Sequence, residues 1–159
     1  MTRHYSRARV GERACGKAPR NQGVNLTVVG AIALDGPRTM MAYEGGTTRD
    51  AFLHFVETGL APSLHPGDVV VLDNLRTHYT DGVKQAIEAV GARVMYLPPY
   101  SPELNPIELT WSKFKAYLRK VEARTLRTLA GALSRFKDTI RQSELEGWYR
   151  HAGYFAQCS

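Results

Sequence analysis

Apolar positions along the chain alternate between two spacings, and the changes between them mark the elements. VNLTVVGAIAL (24–34) and TMMAY (39–43) read as two strands joined by a turn at Asp35-Gly36-Pro37, a common hairpin chemistry. Thr47 or Thr48 then caps a helix in which Phe52, Phe55, Val56 and Leu60 recur at helical spacing, and which ends by Pro62. His65-Pro66-Gly67-Asp68 is a turn. VVVL (69–72) is an uninterrupted apolar run, as expected for a strand covered on both faces in a parallel sheet, and Asp73 closes it. A helix over 80–90 follows, with Val83, Ile87 and Val90 on one side and Gly91 as its stop, then a short strand, RVMYL (93–97).

LPPYSPELNPIELTW (97–111) places prolines at 98, 99, 102 and 106 and runs directly into an amphipathic helix. Its inner stripe is Ile107, Trp111, Phe114, Leu118 and Val121, a register that favours core packing over base stacking for the aromatic pair. Two more helices close the chain. One spans about 125–140, and the other is opened by Ser143-Glu144-Leu145-Glu146, an S-x-x-E capping box. Strands followed by alternating strands and helices define an α/β domain with a mixed sheet.

At 159 residues the chain supports one domain hiding about 70% of its unfolded surface, so a core needs no disulfides. Cys15 and Cys158 stand near opposite ends without metal-type spacing, which points to a reducing compartment, the cytoplasm. The most apolar run is too short to span a bilayer, and the arginine-rich N-terminus lacks the apolar stretch of a secretory signal.

The net charge of +6 changes the picture more, because it is clustered. Arg3, Arg7, Arg9, Arg13, Lys17 and Arg20 crowd the first 20 residues, and a second group runs from Lys113 to Arg141. Such clustering favours a polyanionic partner, although any single one of these charges serves equally well on a solvated face.

Two acids carry the chemistry. Ligands collect at the carboxyl ends of strands in open α/β sheets, where Asp73 lies, and a carboxylate there suits a hard cation such as Mg²⁺. An Asp in that position also serves as an ordinary turn residue. Glu108 has its own structural reading: Asn105 as N-cap, Pro106 at the first helical position and Glu108 two residues later form a variant capping box. The prolines lower the entropy lost in aiming Glu108, which benefits a metal ligand.

DN-x3-H from Asp73 to His78, then YLPPYSPELNPIE ending at Glu108, with 34 residues between the two acids, resembles the catalytic-domain signature of DDE transposases from bacterial insertion sequences related to the mariner superfamily. The resemblance implies a ribonuclease H-like mixed sheet flanked by helices. It also implies metal-dependent DNA strand cleavage and strand transfer, the chemistry of transposition and integration. Two Mg²⁺ (or Mn²⁺) ions would clamp the scissile phosphate, one activating the attacking hydroxyl and the other stabilising the leaving oxygen. Asp73 and Glu108 would be catalytic metal ligands, with Asn74 and His78 beside them. Lys113, Lys115, Arg119 and Lys120 would meet the phosphates of double-stranded DNA at element ends and target. A homodimer or a full-length transposase is the protein partner expected; no membrane is.

The family places a first Asp on a central strand that precedes the point where this sequence opens. The expectation is therefore a single partial catalytic domain, truncated at its N-terminus: a basic lead (1–22), a core (23–122) and C-terminal helices (123–159). Asp35, in a turn, is no substitute, and nothing in the spacing of Glu12 or Glu44 recommends either. A catalytically inactive remnant that binds DNA or a transposase is the alternative, and a structure-selective nuclease a weaker third. GERACGK (11–17) fits a phosphate-loop pattern, but Ala18 stands where Ser or Thr would bind Mg²⁺.

Overall fold

The computed structural model describes residues 9–11, 24–123 and 125–154. Glu12, both cysteines and most of the phosphate-loop-like segment therefore lie outside the described residues.

The hairpin forms as its alternation dictates. Strands β1 (Leu26–Ala33) and β2 (Gly36–Glu44) pair antiparallel from Leu26 opposite Glu44 to Ala33 opposite Gly36, with a bulge between Ala31 and Ile32. Arg38 closes the turn on Asp35 at 3.1 Å, so Asp35 is engaged there. Because side chains alternate, the hairpin has two apolar faces. Val29, Ala31, Met41 and Tyr43 pack on one core; Leu26, Val28, Ile32, Met40 and Ala42 pack on another.

The first core belongs to α1 (Arg49–Phe55), β3 (Val69–Leu72) and α2 (Asp81–Glu88), with Phe55, Val56, Val83 and Ile87 essentially inaccessible. Thr48 is the cap of α1, its hydroxyl accepting the Ala51 N–H at 3.2 Å. After Phe55 the helix loosens into a π turn and then a 3₁₀ turn containing Pro62. Gly59 lies where that turn presses on β2; a Cβ there would sit 2.6 Å from the Met41 methyl and 2.7 Å from the Thr39 hydroxyl.

β3 pairs in parallel with β4 (Arg93–Tyr96), Val69 opposite Arg93 and Leu72 opposite Tyr96. The run VVVL is not covered on both faces: Val70 and Leu72 are buried, whereas Val69 is exposed and Val71 only half-buried. Side chains alternate along a strand, so Val70 and Leu72 enter the first core while Val69 and Val71 point to the opposite face. Among the described residues the antiparallel and parallel pairs form two separate two-stranded sheets, and no strand pairs with β3 on its other edge.

The second core lies between the hairpin and α3 (Ile107–Val121) and α4 (Leu126–Lys137), built on Met40, Phe114, Leu129, Leu133 and Phe136. Val121, expected on the inner stripe, is exposed because α3 ends there, with Glu122 in a left-handed conformation. α4 stops at Lys137, three residues before the expected end, as the Thr139 hydroxyl takes the Phe136 carbonyl at 2.7 Å.

α5 (Gln142–His151) begins earlier than Ser143 would have it. Its capping carboxylate is Glu144, which accepts the Arg141 N–H at 3.0 Å, so the reciprocal partner is Arg141 and not Ser143. No helix among the described residues is long and apolar enough to cross a membrane.

α3 approaches β1 so closely that a Cβ on Gly30 would stand 2.9 Å from the Trp111 ring. Gly30→Ala is therefore expected to lower stability by about 1–3 kcal/mol, the usual cost of overpacking, and urea unfolding of the two proteins measures it.

Candidate active site

Asp73 follows the last residue of β3, and the chain turns at once into a 3₁₀ segment, Arg76–Tyr79. That turn brings His78 back onto the acid. Asp73 Oδ1 accepts the Leu75 N–H at 3.0 Å and lies 2.7 Å from His78 Nδ1. The His78 ring is itself fixed, 4.1 Å from the Phe52 ring, while its carbonyl accepts the Tyr96 hydroxyl at 3.1 Å. One carboxylate oxygen is thus fully used, and Oδ2 has no partner among the described residues. With its side chain 48% exposed, Asp73 offers that oxygen to a ligand.

Asn74, next to Asp73, turns inward. Its amide donates to the Leu97 carbonyl and its oxygen accepts the Tyr79 hydroxyl, so both ends are engaged inside the protein. Leu97 is the residue before Pro98, and Asn74 thereby ties the end of β3 to the start of the proline loop.

The loop is braced at short range. The Asn105 N–H donates to the Pro102 carbonyl at 3.0 Å, closing a 3₁₀ turn over Pro102–Leu104. α3 starts at Ile107 with Pro106 in the N-cap position, one residue later than expected, and Asn105 stands just before it: its side-chain oxygen accepts the Ile107 N–H at 3.4 Å and its carbonyl the Glu108 N–H at 3.1 Å. The other half of the expected capping box is absent, because the Asn105 N–H is committed to Pro102. Glu108 is left exposed, with a carboxylate that has no hydrogen bond among the described residues.

Asp73 and Glu108 line the same cavity, of about 590 Å³, between the two sheets; His78 and Asn105 also border it. Their donors are hard carboxylate oxygens, which fit a cation of the Mg²⁺ type that keeps waters and substrate phosphates as its remaining ligands. Among the described residues no group of three His, Cys, Asp or Glu side chains is placed to hold a metal. Glu44 and Asp35 do not border the cavity.

The basic residues of α3 divide by face. Lys113 is spoken for: its ammonium lies 2.5 Å from Glu144 and 2.6 Å from the Thr139 carbonyl, pinning α5 to α3. Lys115 and Arg119 continue the stripe of Glu108, seven and eleven residues on, and Lys120 lies to one side. One residue that escaped the sequence pattern is Tyr100, fully exposed at the tip of the proline loop with φ of +57°, a strained conformation for an aromatic residue.

Strand pairs between helical layers, with an acid closing a parallel strand and another opening a helix, constitute a ribonuclease H-like fold. The chain belongs to the DDE superfamily endonucleases, whose sequence pattern it matches over residues 1–130. No curated protein sequence matches it. Among solved structures it is similar to the Mos1 strand transfer complex (TM-score 0.71, 16% identity, covering 96% of this chain and 46% of that one). It is similar too to the Mos1 transposase paired-end complex with the left transposon end (TM-score 0.72, 16% identity, 96% and 47%). A third is the Mos1 mariner paired-end complex with Mn (TM-score 0.70, 16% identity, 96% and 47%). The chain spans about half the length of these relatives.

The Lys113 hydrogen bond, helped by the Arg141 N–H, holds the Glu144 carboxyl below the usual glutamate range. A carboxyl lowered by folding stabilises the protein above its unfolded value, near 4.5, and loses that contribution as pH falls through the folded value. Glu144→Gln is expected to flatten the acid limb of stability against pH, read by urea unfolding between about pH 6 and pH 3.

Proposed function

We propose that this chain carries two of the acids of a DDE-type transposase site, which cuts DNA and joins the freed 3′ end to a target with divalent metal, Mg²⁺ or Mn²⁺. The observation that carries the reading is that Asp73 and Glu108 border one cavity, each with carboxylate oxygen free of internal partners. Two bound cations would supply activation of the attacking hydroxyl and stabilisation of the leaving oxygen.

The chain's own residues do the rest. His78 and the Leu75 N–H hold Asp73 by one oxygen, so the other keeps a set direction. Asn74 positions the loop that delivers Glu108. Lys115 and Arg119 extend the Glu108 stripe along the path of a DNA backbone, and Lys120 adds charge at its edge, whereas Lys113 stabilises the fold. The third acid of the triad belongs to a strand beside β3, and DNA ends held by two such proteins are the substrate.

The lack of a third acid among the described residues favours a second reading, in which the chain by itself binds DNA without cutting it. One experiment separates the two: cleavage of transposon-end DNA in Mg²⁺ and in Mn²⁺ by this chain and by a version carrying an additional N-terminal strand that ends in Asp. Cutting by the extended protein is expected to fall at least about 100-fold in Asp73→Asn and in Glu108→Gln, the scale of losing one charge-stabilising group. Equal cutting by the variants refutes the assignment, and cutting by neither parent protein leaves the DNA-binding reading. Lys115→Ala and Arg119→Ala should each reduce the slope of log affinity against log salt by about 0.9, and Lys113→Ala should leave it unchanged.

A further inference from the structure

Two phenols stand between the segments that carry the acids. Tyr79 ends the 3₁₀ segment behind Asp73, and Tyr96 ends β4 one residue before Leu97. Their rings stack with centroids 4.3 Å apart and planes 11° from parallel, and each hydroxyl is committed to a different side of the site. The Tyr96 hydroxyl donates to the His78 carbonyl at 3.1 Å, and the His78 ring holds Asp73. The Tyr79 hydroxyl donates to the Asn74 side-chain oxygen, and the Asn74 amide holds the Leu97 carbonyl at the start of the proline loop. Two chains of contacts thus leave one stack, the first ending on Asp73 and the second on the loop that carries Glu108.

The chemistry of the links requires hydroxyls. The Leu97 carbonyl only accepts, so Asn74 must turn its nitrogen there and its oxygen the other way, where that oxygen needs a donor. Tyr79 supplies it; a phenylalanine ring of the same shape would not. Tyr79 is half-exposed, so burial does little to fix its ring, and the stack on Tyr96 keeps its hydroxyl aimed. Burial, and after it the neighbouring Tyr79, push the Tyr96 phenol above its ordinary value, which keeps it a neutral donor to His78.

We propose that Tyr79 and Tyr96 are the positioning pair of the site: Tyr79, through Asn74, sets where the loop delivers Glu108, and Tyr96, through His78, sets how Asp73 is held. The stack thereby fixes the separation of the two acids. That this separation serves a divalent cation rests on the function proposed above.

Amide hydrogen exchange followed by NMR on the whole metal-free chain tests the pair. Tyr79→Phe is expected to speed exchange of the Asn105 and Glu108 amides by about fivefold, the scale of one lost hydrogen bond, and to leave Leu75 and His78 unchanged. Tyr96→Phe is expected to give the reverse pattern. The Arg93 and Leu129 amides, hydrogen-bonded far from both tyrosines in the chain, should not respond to either variant. In an Asn74→Ala protein, Tyr79→Phe is expected to add nothing, because it acts through that amide. Equal acceleration of all these amides, no acceleration, or an undiminished effect of Tyr79→Phe without Asn74 overturns the proposal. Added Mn²⁺ tests the metal reading separately. It is expected to broaden the Asp73 and Glu108 signals together in the parent chain, and in Tyr79→Phe to spare Glu108 and still broaden Asp73. Broadening of neither in the parent refutes the metal assignment, with the exchange pattern still deciding the positioning claim; identical broadening in parent and variant overturns the pair's role in setting the separation.

Discussion

Four residue pairs of parallel ladder, Val69–Leu72 on Arg93–Tyr96, decide where both acids stand. The ladder ends one residue before Asp73 on one strand and leads through Leu97 into the proline loop on the other. Asn74 clamps these two exits together by its bond to the Leu97 carbonyl. From there the loop has little freedom, since prolines and a 3₁₀ turn bring it to Asn105 and the start of α3. Burying Val70 and Leu72 against Phe52, Phe55 and Ile87 is what keeps the ladder in register, so the geometry of the site is set by ordinary hydrophobic packing on one side of β3.

The acids themselves sit in unlike surroundings. Asp73 is held by donors that use one oxygen and spare the other, which orients it without neutralising it. Glu108 is oriented by backbone alone, because its expected partner, the Asn105 N–H, is satisfied elsewhere. A carboxylate relieved of a capping duty at a helix start remains available to a cation, and its place on one helix stripe with the exposed Lys115 and the half-buried Arg119 suits a ligand that is itself a polyanion.

Much of this was legible in the sequence because it is local. A strand ending in Asp73, a capped helix opening at Glu108 and the hairpin around Asp35 each rest on residues a few positions apart. What could not be read depends on distant partners. Lys113 looked like a DNA contact, and only folding brings Glu144, 31 residues away, to its ammonium. Glu144 also accepts the Arg141 N–H, so Arg141 and not Ser143 is the cap of α5. Val71 read as core from its neighbours in VVVL, but it is only half-buried because its burial depends on what covers the face of β3 opposite the first core, which a run of four apolar residues does not encode.

The contacts of α5 on the far end of β1 have a bearing on how the protein behaves at high concentration. Naked strand edges are where chains stack on one another into insoluble aggregates. Tyr149, whose hydroxyl burial pushes up to about 12, stays a neutral donor and plugs the Ile32 carbonyl, while Gln142 plugs Leu34, so that stretch of edge is blunted. Among the described residues the rest of the border has no such guard, and a net charge of +6 keeps neighbouring molecules apart, a repulsion that salt screens. Colloidal stability of this chain is thus expected to fall as ionic strength rises.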